Sequence, residues 1–220
     1  MKNDTQKGFT LVEIAMILIV IALLVGGVLK ASEMVTNTKL KKMQVVQSGL
    51  VSARDLYYDR YREFPGDDPS ADVTFTMYTG MPEMNGDGNG YVGYGDDWNL
   101  DESTPPTNGE QETLKFFAHL RAAGLIAGTG NDLTRPPHPF DSSDIGIQDG
   151  SLGIGQHVII FSNMTGEYAR IIDGWHDDDK ADTGSIRSAA TTDNMNSDSA
   201  PAASYTSSER YHLAWKMAGH

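Results

Sequence analysis

The sequence predicts an α+β protein in which a long amino-terminal helix packs against a small antiparallel β-sheet head with long loops. Three observations lead to this prediction. An apolar run at Phe9–Leu29 continues into an amphipathic stretch with no proline between them. A segment rich in Pro, Gly, Asp and Asn follows over 65–109. The rest of the chain combines one more helical pattern with short apolar segments of strand length.

The first element is predicted as one continuous helix from Phe9 to about Arg62. Its second half repeats apolar residues at three- and four-residue steps, which is the spacing of an amphipathic helix. These residues are Met43, Val46, Leu50, Ala53, Tyr57, Tyr61 and Phe64. Pro65 supplies the stop. At 1.5 Å per residue the helix is roughly 80 Å long.

Shorter patterns predict the other elements. The 65–109 segment is predicted as a long loop with one short possible strand, DVTFTMYT. A second helix is predicted at Glu112–Ile126, because its apolar residues share one side and a glycine follows its end.

The strands are predicted in the carboxyl-terminal part of the chain. QHVIIFSN and EYARIIDGW are predicted as two antiparallel strands joined by a turn at Thr165–Gly166. The polar stretch 183–209 is predicted as a surface loop or a partly disordered segment. RYHLAWKM, over 210–217, alternates enough to be a closing strand.

Composition restricts the function. The 220 residues carry a net charge of −13, which argues against a nucleic-acid-binding surface because such a surface is basic. The chain has no cysteine, so neither disulfides nor thiolate chemistry are available. If the protein works outside the cytoplasm, its long loops need another constraint, and a bound metal would provide one.

The apolar run is long enough to cross the ~30 Å hydrocarbon core of a membrane as one helix. It is longer than the apolar region of a secretory signal, and no small-residue cleavage site follows it. A short polar leader, MKNDTQKG, precedes it. Glu13 lies near its start, and an ionisable residue at membrane depth indicates a function.

The segment KGFTLVEIAMILIVIALL, from Lys7 to Leu24, strongly resembles the amino-terminal signature of type IV pilins and of type II secretion pseudopilins. The close resemblance covers about the first 30 residues. It implies that a prepilin peptidase cuts between Gly8 and Phe9, and that Phe9 becomes the N-methylated terminus.

The resemblance also implies a type IV pilin-like fold in three parts. Residues 1–8 would be the leader that is removed. Residues 9–35 would form the apolar transmembrane and filament-core helix. Residues 36–220 would form the globular head, which includes the second half of the helix.

Glu13 takes an assembly role from this resemblance. Phe9 and Glu13 are four residues apart and would share one helix face. A carboxylate in a low-dielectric environment requires a partner, and the resemblance implies that the partner is the terminal ammonium of a neighbouring subunit. The pairing would set the register of the growing filament. A pair within one chain is the alternative.

The implied function is a structural subunit of a type IV pilus-like filament that serves adhesion, motility or DNA uptake. A pseudopilin of a type II secretion system is the first alternative, and a membrane-tethered calcium-binding module is the second. The implied partners are other subunits in a homo- or hetero-filament, the prepilin peptidase, the inner-membrane assembly platform, and the membrane before assembly.

The implied location is the inner membrane for the precursor, with a single pass and the head outside the cytoplasm. The assembled protein would lie in an extracellular pilus or a periplasmic pseudopilus. Lysines flank the apolar run on both sides. The orientation is therefore taken from the resemblance.

The loop NGDGNGYVGYGD, over 85–96, partly matches the spacing of an EF-hand calcium loop. Gly90 would make the turn. The predicted oxygen ligands are Asn85, Asp87, Asn89, the carbonyl of Tyr91, and Asp96. The last ligand is Asp where an EF-hand has Glu, and no helices flank the loop. A Ca²⁺ site is predicted, with a plain Gly/Asn turn as the alternative.

Further acidic residues extend this interpretation. The ligand set could be completed by Asp97, Asp101, Glu102 or Glu112. A second acidic group, Asp177–Asp179, is interpreted as solvated charge, with another cation site or a turn-forming group as the alternatives. The six histidines show no zinc-site spacing, and no G-x-S-x-G or phosphate-binding glycine loop occurs. The sequence therefore predicts a protein that is not an enzyme.

Overall fold

A computed structural model describes residues 9–93, 97–100, 111–140 and 143–217. The chain divides into two compact units, Met1–Lys41 and Lys42–His220. The helices are α1 (Leu11–Tyr61), α2 (Ala71–Thr74), α3 (Glu112–Ala122) and α4 (Gly166–His176). The strands are β1 (Ile145–Ser151), β2 (Ile154–Thr165), β3 (Ile186–Ala190) and β4 (Arg210–Lys216). The predicted α+β class is confirmed.

Helix α1 confirms the predicted long helix, with 51 residues between Leu11 and Tyr61. It ends where Arg62 adopts the left-handed backbone conformation, at φ 63°, three residues before Pro65. By length and composition α1 could cross a membrane, although a signal sequence at the amino terminus would satisfy the same criteria.

The strands form one antiparallel sheet in the order β1-β2-β4-β3. A two-residue turn at Leu152–Gly153 joins β1 to β2, and both of its residues have positive φ, which matches the twist of a tight hairpin. Strand β2 lies inside the sheet, and its residues Val158–Phe161 are buried on both faces. The core of the second unit is therefore built around β2.

Helix α3 lies within the core, because every residue from Glu112 to Arg121 is buried. It was predicted to reach Ile126 but ends at Ala122. Gly124, with φ 68°, allows the chain to turn, and the N–H of Leu125 reaches back to the carbonyl of Leu120. This is the usual glycine-terminated helix end.

Three secondary-structure predictions were wrong. EYARIIDGW is helix α4, because Ala169, Ile172 and Asp173 are buried at helical spacing. DVTFTMYT forms α2 and a single helical turn at Thr76–Tyr78. The predicted surface loop 183–209 contains strand β3, whose small residues pair with β4. Strand β1 was not predicted.

Candidate functional site

In the amino-terminal turn of α1, the carboxylate of Glu13 is hydrogen-bonded to Thr10. Glu13 Oε2 accepts hydrogen bonds from the backbone N–H and the hydroxyl of Thr10, both at 2.9 Å. The Glu13 N–H donates in return to Thr10 Oγ1 at 3.2 Å. This reciprocal pattern is a capping box, which satisfies N–H groups that a helix otherwise leaves without partners.

The structure thus gives Glu13 a partner within the chain, although not the one that the sequence suggested. Phe9 precedes the first residue of α1, and its side chain is exposed. Gly8 lies outside the described residues. The capping box uses one of the two carboxylate oxygens in the contacts described above, and a carboxylate offers about four acceptor positions. The pairing with a neighbouring terminus therefore stays a prediction.

The apolar half of α1 is exposed with respect to the residues that the structure describes. Its large apolar side chains from Leu11 to Leu29 are between 45 and 86% exposed. Soluble monomers rarely expose a continuous apolar surface of this size. An exposed apolar surface of this kind is typical of a segment that lipid or other protein covers.

The described part of the predicted cation loop, 85–93, does not bring the predicted ligand side chains together. The Asn85 amide binds Asp72, whose backbone N–H it accepts at 2.9 Å and whose carboxylate it contacts at 2.8 Å. Asn89 Oδ1 accepts the N–H of Tyr91, and its amide nitrogen donates to Asp87. Asp96 lies outside the described residues.

A different set of carboxylates meets beside this loop. Asp67, Asp87 and Glu112 each place an oxygen within 4.8 Å of the other two. Asp67 and Glu112 are buried, whereas Asp87 is exposed. The sequence predicted Glu112 as one possible further ligand of the site, whereas it gave no such prediction for Asp67. We call these three residues the carboxylate cluster.

Backbone N–H groups of the loop hold the two buried carboxylates. Asp67 accepts hydrogen bonds from Asn89 at 3.0 Å and from Gly90 at 2.8 Å. Glu112 accepts the N–H of Asp87 at 2.9 Å. Residues 86–90 thus wrap around the carboxyl groups of Asp67 and Glu112, which come from distant parts of the sequence.

Burial dominates the acid–base behaviour of the cluster. It raises the pKa of Asp67 to about 6 and that of Glu112 to about 7, against the lowering effect of the backbone N–H donors. The neighbouring carboxylates raise both pKa values further. A cation bound among these oxygens would supply the missing positive charge.

Two glycines allow the close contacts of this region, one between the loop and Asp67 and one between the chain before Asp67 and α3. A Cβ on Gly86 would collide with the backbone of Asp67. Gly66 has φ 93°, and a Cβ there would lie 2.5 Å from the carbonyl oxygen of Glu112. The positions of Asp67 and Glu112 therefore depend on glycine at both places.

The buried side of α3 that carries Glu112 also carries two further polar side chains that bind the loop. The Lys115 ammonium donates to the carbonyl of Asn85 at 2.7 Å. His119 Nδ1 accepts the N–H of Gly66 at 2.9 Å, and Nε2 lies 2.8 Å from the carbonyl of Met84. Burial lowers the pKa of His119 to about 4, so the ring is neutral and Nε2 carries the proton.

The donor set of the cluster fits a hard cation, because carboxylate and carbonyl oxygens are the ligands that Ca²⁺ prefers. Three carboxylates supply fewer than the six to eight oxygens of a full Ca²⁺ shell. Carbonyl groups of 86–90 and water would have to provide the remainder.

The second acidic group differs from the predicted one by one member. Asp173, Asp177 and Asp178 bring their oxygens together, whereas Asp179 binds Arg170 at 3.0 Å. Asp177 accepts the N–H groups of Ser185 and Ile186, so it shapes the turn before β3.

The chain was also compared with known proteins. No family model, no curated protein and no solved structure matches it. The resemblance of Lys7–Leu24 to the pilin signature therefore stands on those residues alone.

Sequence reasoning missed Asp67, and the signal that could have found it lies in EFPGDDP. Asp67 and Asp68 follow Pro65 and Gly66, six and seven residues after the end of α1 at Tyr61. Asp68 is buried and accepts a hydrogen bond from the Tyr57 hydroxyl at 2.8 Å. The neighbouring carboxylates of Asp67 and Asp68 therefore have different partners. Acidic residues next to a helix end and opposite an acidic glycine loop are a reason to consider both as one site.

Proposed function

We propose that this chain is a structural subunit of a type IV pilus-like filament. In this proposal a prepilin peptidase cuts after Gly8, and the mature protein begins at Phe9. The precursor sits in the inner membrane through the apolar half of α1. Assembly then moves that helix from lipid into a bundle of identical helices, while the heads form the outer surface.

The apolar surface of α1 between Leu11 and Leu29 is the observation that carries the proposal. An ordinary membrane anchor and a filament-core helix would both need such a surface. The prepilin-like order of Lys7, Gly8, Phe9 and Glu13 favours the filament, because an anchor needs no carboxylate at its start.

The capping box is compatible with both stages of this process. In lipid no water is present to satisfy the first N–H groups of a helix, and Glu13 and Thr10 satisfy them internally. The remaining acceptor positions of Glu13 are those that would receive the Phe9 ammonium of a neighbouring subunit. The cap would hold the carboxylate in place for that contact.

A pseudopilin of a secretion system would use the same helix and the same terminus. The difference between the two lies in where the filament ends, at the cell surface or in the periplasm. No observation on the head favours one over the other.

We further propose that the carboxylate cluster binds Ca²⁺ as a structural ion of the head. The two buried carboxylates with raised pKa values support this proposal. Because the chain has no cysteine, no disulfide can cross-link 64–93 to α3. A cation at Asp67, Asp87 and Glu112 would provide such a link. A membrane-tethered calcium-binding module, with no filament, would rest on the same cluster.

The filament proposal is tested by shearing cells that express the epitope-tagged full chain and examining the released material by electron microscopy. Fibres labelled by antibody to the tag are expected for the wild type. The matched Gly8→Ala variant should stay in the membrane at the larger precursor size. A wild type found only in the membrane fraction, with no labelled fibres or periplasmic filaments, would contradict the proposal.

A further inference from the structure

A groove on the head lies along one side of α4. Its volume is about 600 Å³, and it opens to solvent. Its lining includes Gly166, Ile171 and Gly174, together with the aromatic residues Trp175 and Tyr205. Trp175 is 49% exposed, so its ring is accessible to a ligand in the groove.

The charges around this groove are mainly negative. Glu167, Arg170 and Asp179 lie among its lining residues. Arg170 and Asp179 neutralise each other through two hydrogen bonds of 3.0 Å. The side chain of Glu167 is exposed, and its carboxylate makes no hydrogen bond or ion pair to any part of the chain that the structure describes. Between Gly166 and Asp182 there are six acidic residues and only two basic ones.

A groove of this composition suits an alkylammonium group. The face of an indole attracts cations, and Trp is the best of the aromatic side chains for this contact. The unpaired carboxylate of Glu167 supplies the opposite charge. Anionic groups are disfavoured by the acidic surroundings. The occupant is therefore expected to be basic and to carry some apolar surface.

The chain itself contains one segment with these properties. Residues 34–54 carry four basic residues and no acidic one, in a protein with 30 acidic residues in total. Lys42 and Val45 lie on one face of α1, three residues apart, and both are exposed. Val45 is 67% exposed, and Lys41 adjoins Lys42 in the sequence.

We infer that the α4 groove of one subunit binds the Lys42–Val45 face of a second copy. Lys42 would place its ammonium between Glu167 and the face of Trp175, and Val45 would cover the apolar part of the groove. The inference deepens the proposed filament, on which it rests, by naming a contact between heads and helices of different subunits. Mutual attraction of unlike charges would also orient the incoming subunit.

The absence of native cysteines makes a direct test possible in the full chain. Two tagged copies, one with Lys42→Cys and one with Glu167→Cys, are expressed together in cells that form fibres. A short bis-maleimide reagent joins them, because a Lys–Glu pair separates the two Cα atoms by more than a disulfide spans. A cross-linked dimer that carries both tags is expected.

The control pairs Lys42→Cys with Val73→Cys, since Val73 is 82% exposed and lies outside the groove. This pair should give no dimer. Fibres that contain both groove variants and yield no dimer would overturn the contact and leave the filament intact. A wild type that makes no fibres would overturn the proposed function and this inference with it.

A charge exchange provides the second measurement. Glu167→Lys should lower the fibre yield by about tenfold, as a like-charge contact replaces an attractive one. Lys42→Glu in the same chain should restore the yield. Gly174→Leu should also lower it by filling the groove, because a Cβ at Gly174 meets Asp179 only at ordinary contact distance. Normal yields for Glu167→Lys, or no restoration by the exchange, would overturn the contact.

Discussion

The carboxylate of Glu13 accepts two hydrogen bonds of 2.9 Å from Thr10, one from its backbone N–H and one from its hydroxyl. A charged residue at the start of an apolar helix therefore has a structural task within its own chain. This task is separate from the contact with a neighbouring subunit that the pilin resemblance implies. The two can be distinguished because they depend on different properties of the side chain.

Glu13→Gln separates the cap from the charge. Glutamine can occupy the third helical position of a capping box, so the first turn of α1 should persist. It cannot pair with a terminal ammonium as an anion. We expect normal processing and a severe loss of fibres, measured by shearing and immunoblotting.

Thr10→Val is the matched variant for the cap. Valine is close to threonine in shape but removes the hydroxyl, while Glu13 keeps its charge. We expect fibres to form with Thr10→Val at more than half of the wild-type yield. Normal assembly of Glu13→Gln, together with failure of Thr10→Val, would show that Glu13 acts only as a cap.

Calcium should stabilise the full chain in detergent, and more strongly at pH 8 than at pH 5.5. The folded-state pKa values of Asp67 and Glu112 are raised to about 6 and about 7. Their favourable contribution is present at low pH, where both are protonated, and is lost as the pH rises through 6 to 7. Calcium replaces the lost protons above that range.

The measurement is the difference in Tm between Ca²⁺ and chelator at each pH. Groups outside the cluster, His119 among them, contribute equally to both samples and cancel. The Glu112→Gln variant should lose most of the difference at pH 8. An equal Tm with Ca²⁺ and with chelator at pH 8 would favour a plain turn held by hydrogen bonds.

His119→Leu should lower the free energy of unfolding by about 3 kcal/mol. The substitution keeps much of the side-chain volume but leaves the N–H of Gly66 and the carbonyl of Met84 buried without partners, at about 1–3 kcal/mol each. Chemical denaturation of the full chain measures the loss. Val73→Ala, at an exposed position, should leave the stability within about 0.5 kcal/mol of the wild type.

The stability that His119 contributes should also depend on pH in the opposite sense to that of the cluster. Its folded-state pKa is lowered to about 4, below the ordinary value of 6.5. Its contribution is therefore complete above pH 6.5 and declines as the pH falls towards 4. If His119→Leu were as stable as the wild type at pH 7.5, the ring would not be holding the loop to α3.

Gly66→Ala and Gly80→Ala separate backbone strain from collision. Both glycines have positive φ, at 93° and 81°, but only a Cβ at Gly66 meets other atoms. Gly80→Ala should cost about 1 kcal/mol, the usual penalty for the left-handed region. Gly66→Ala should cost more than twice as much, because the backbone of Glu112 has to move. Equal losses in denaturant titrations would mean that the approach of Gly66 to α3 is not tight.

The long helix could be predicted because a continuous pattern of apolar residues specifies it locally. The sheet could be predicted only in part. Strands β2 and β4 have the apolar composition of buried strands, whereas β3, with the sequence IRSAA, offers little to recognise. The Ile171–Ile172 pair favoured a strand by composition, yet the burial of Ala169 and Ile172 selects a helix.

The carboxylate cluster shows a similar limit. Spacing within 85–96 indicated an acidic loop, and Asp87 belongs to the cluster. Asp67 precedes Asp87 by 20 residues and Glu112 follows it by 25, so no local motif can place them together. The contact depends on how Gly66 lets the chain approach α3 and how Gly86 lets it approach Asp67, and both approaches are decided by tertiary packing.

In the proposed function, the chain is cut between Gly8 and Phe9 and is assembled through the helix at its new amino terminus. Mass spectrometry of intact subunits from sheared or periplasmic filaments tests it most directly. We expect a subunit that begins at Phe9, lacks residues 1–8 and carries one additional methyl group on its terminus. Recovery of the chain with residues 1–8 still attached, in membranes and never in filaments, would contradict it.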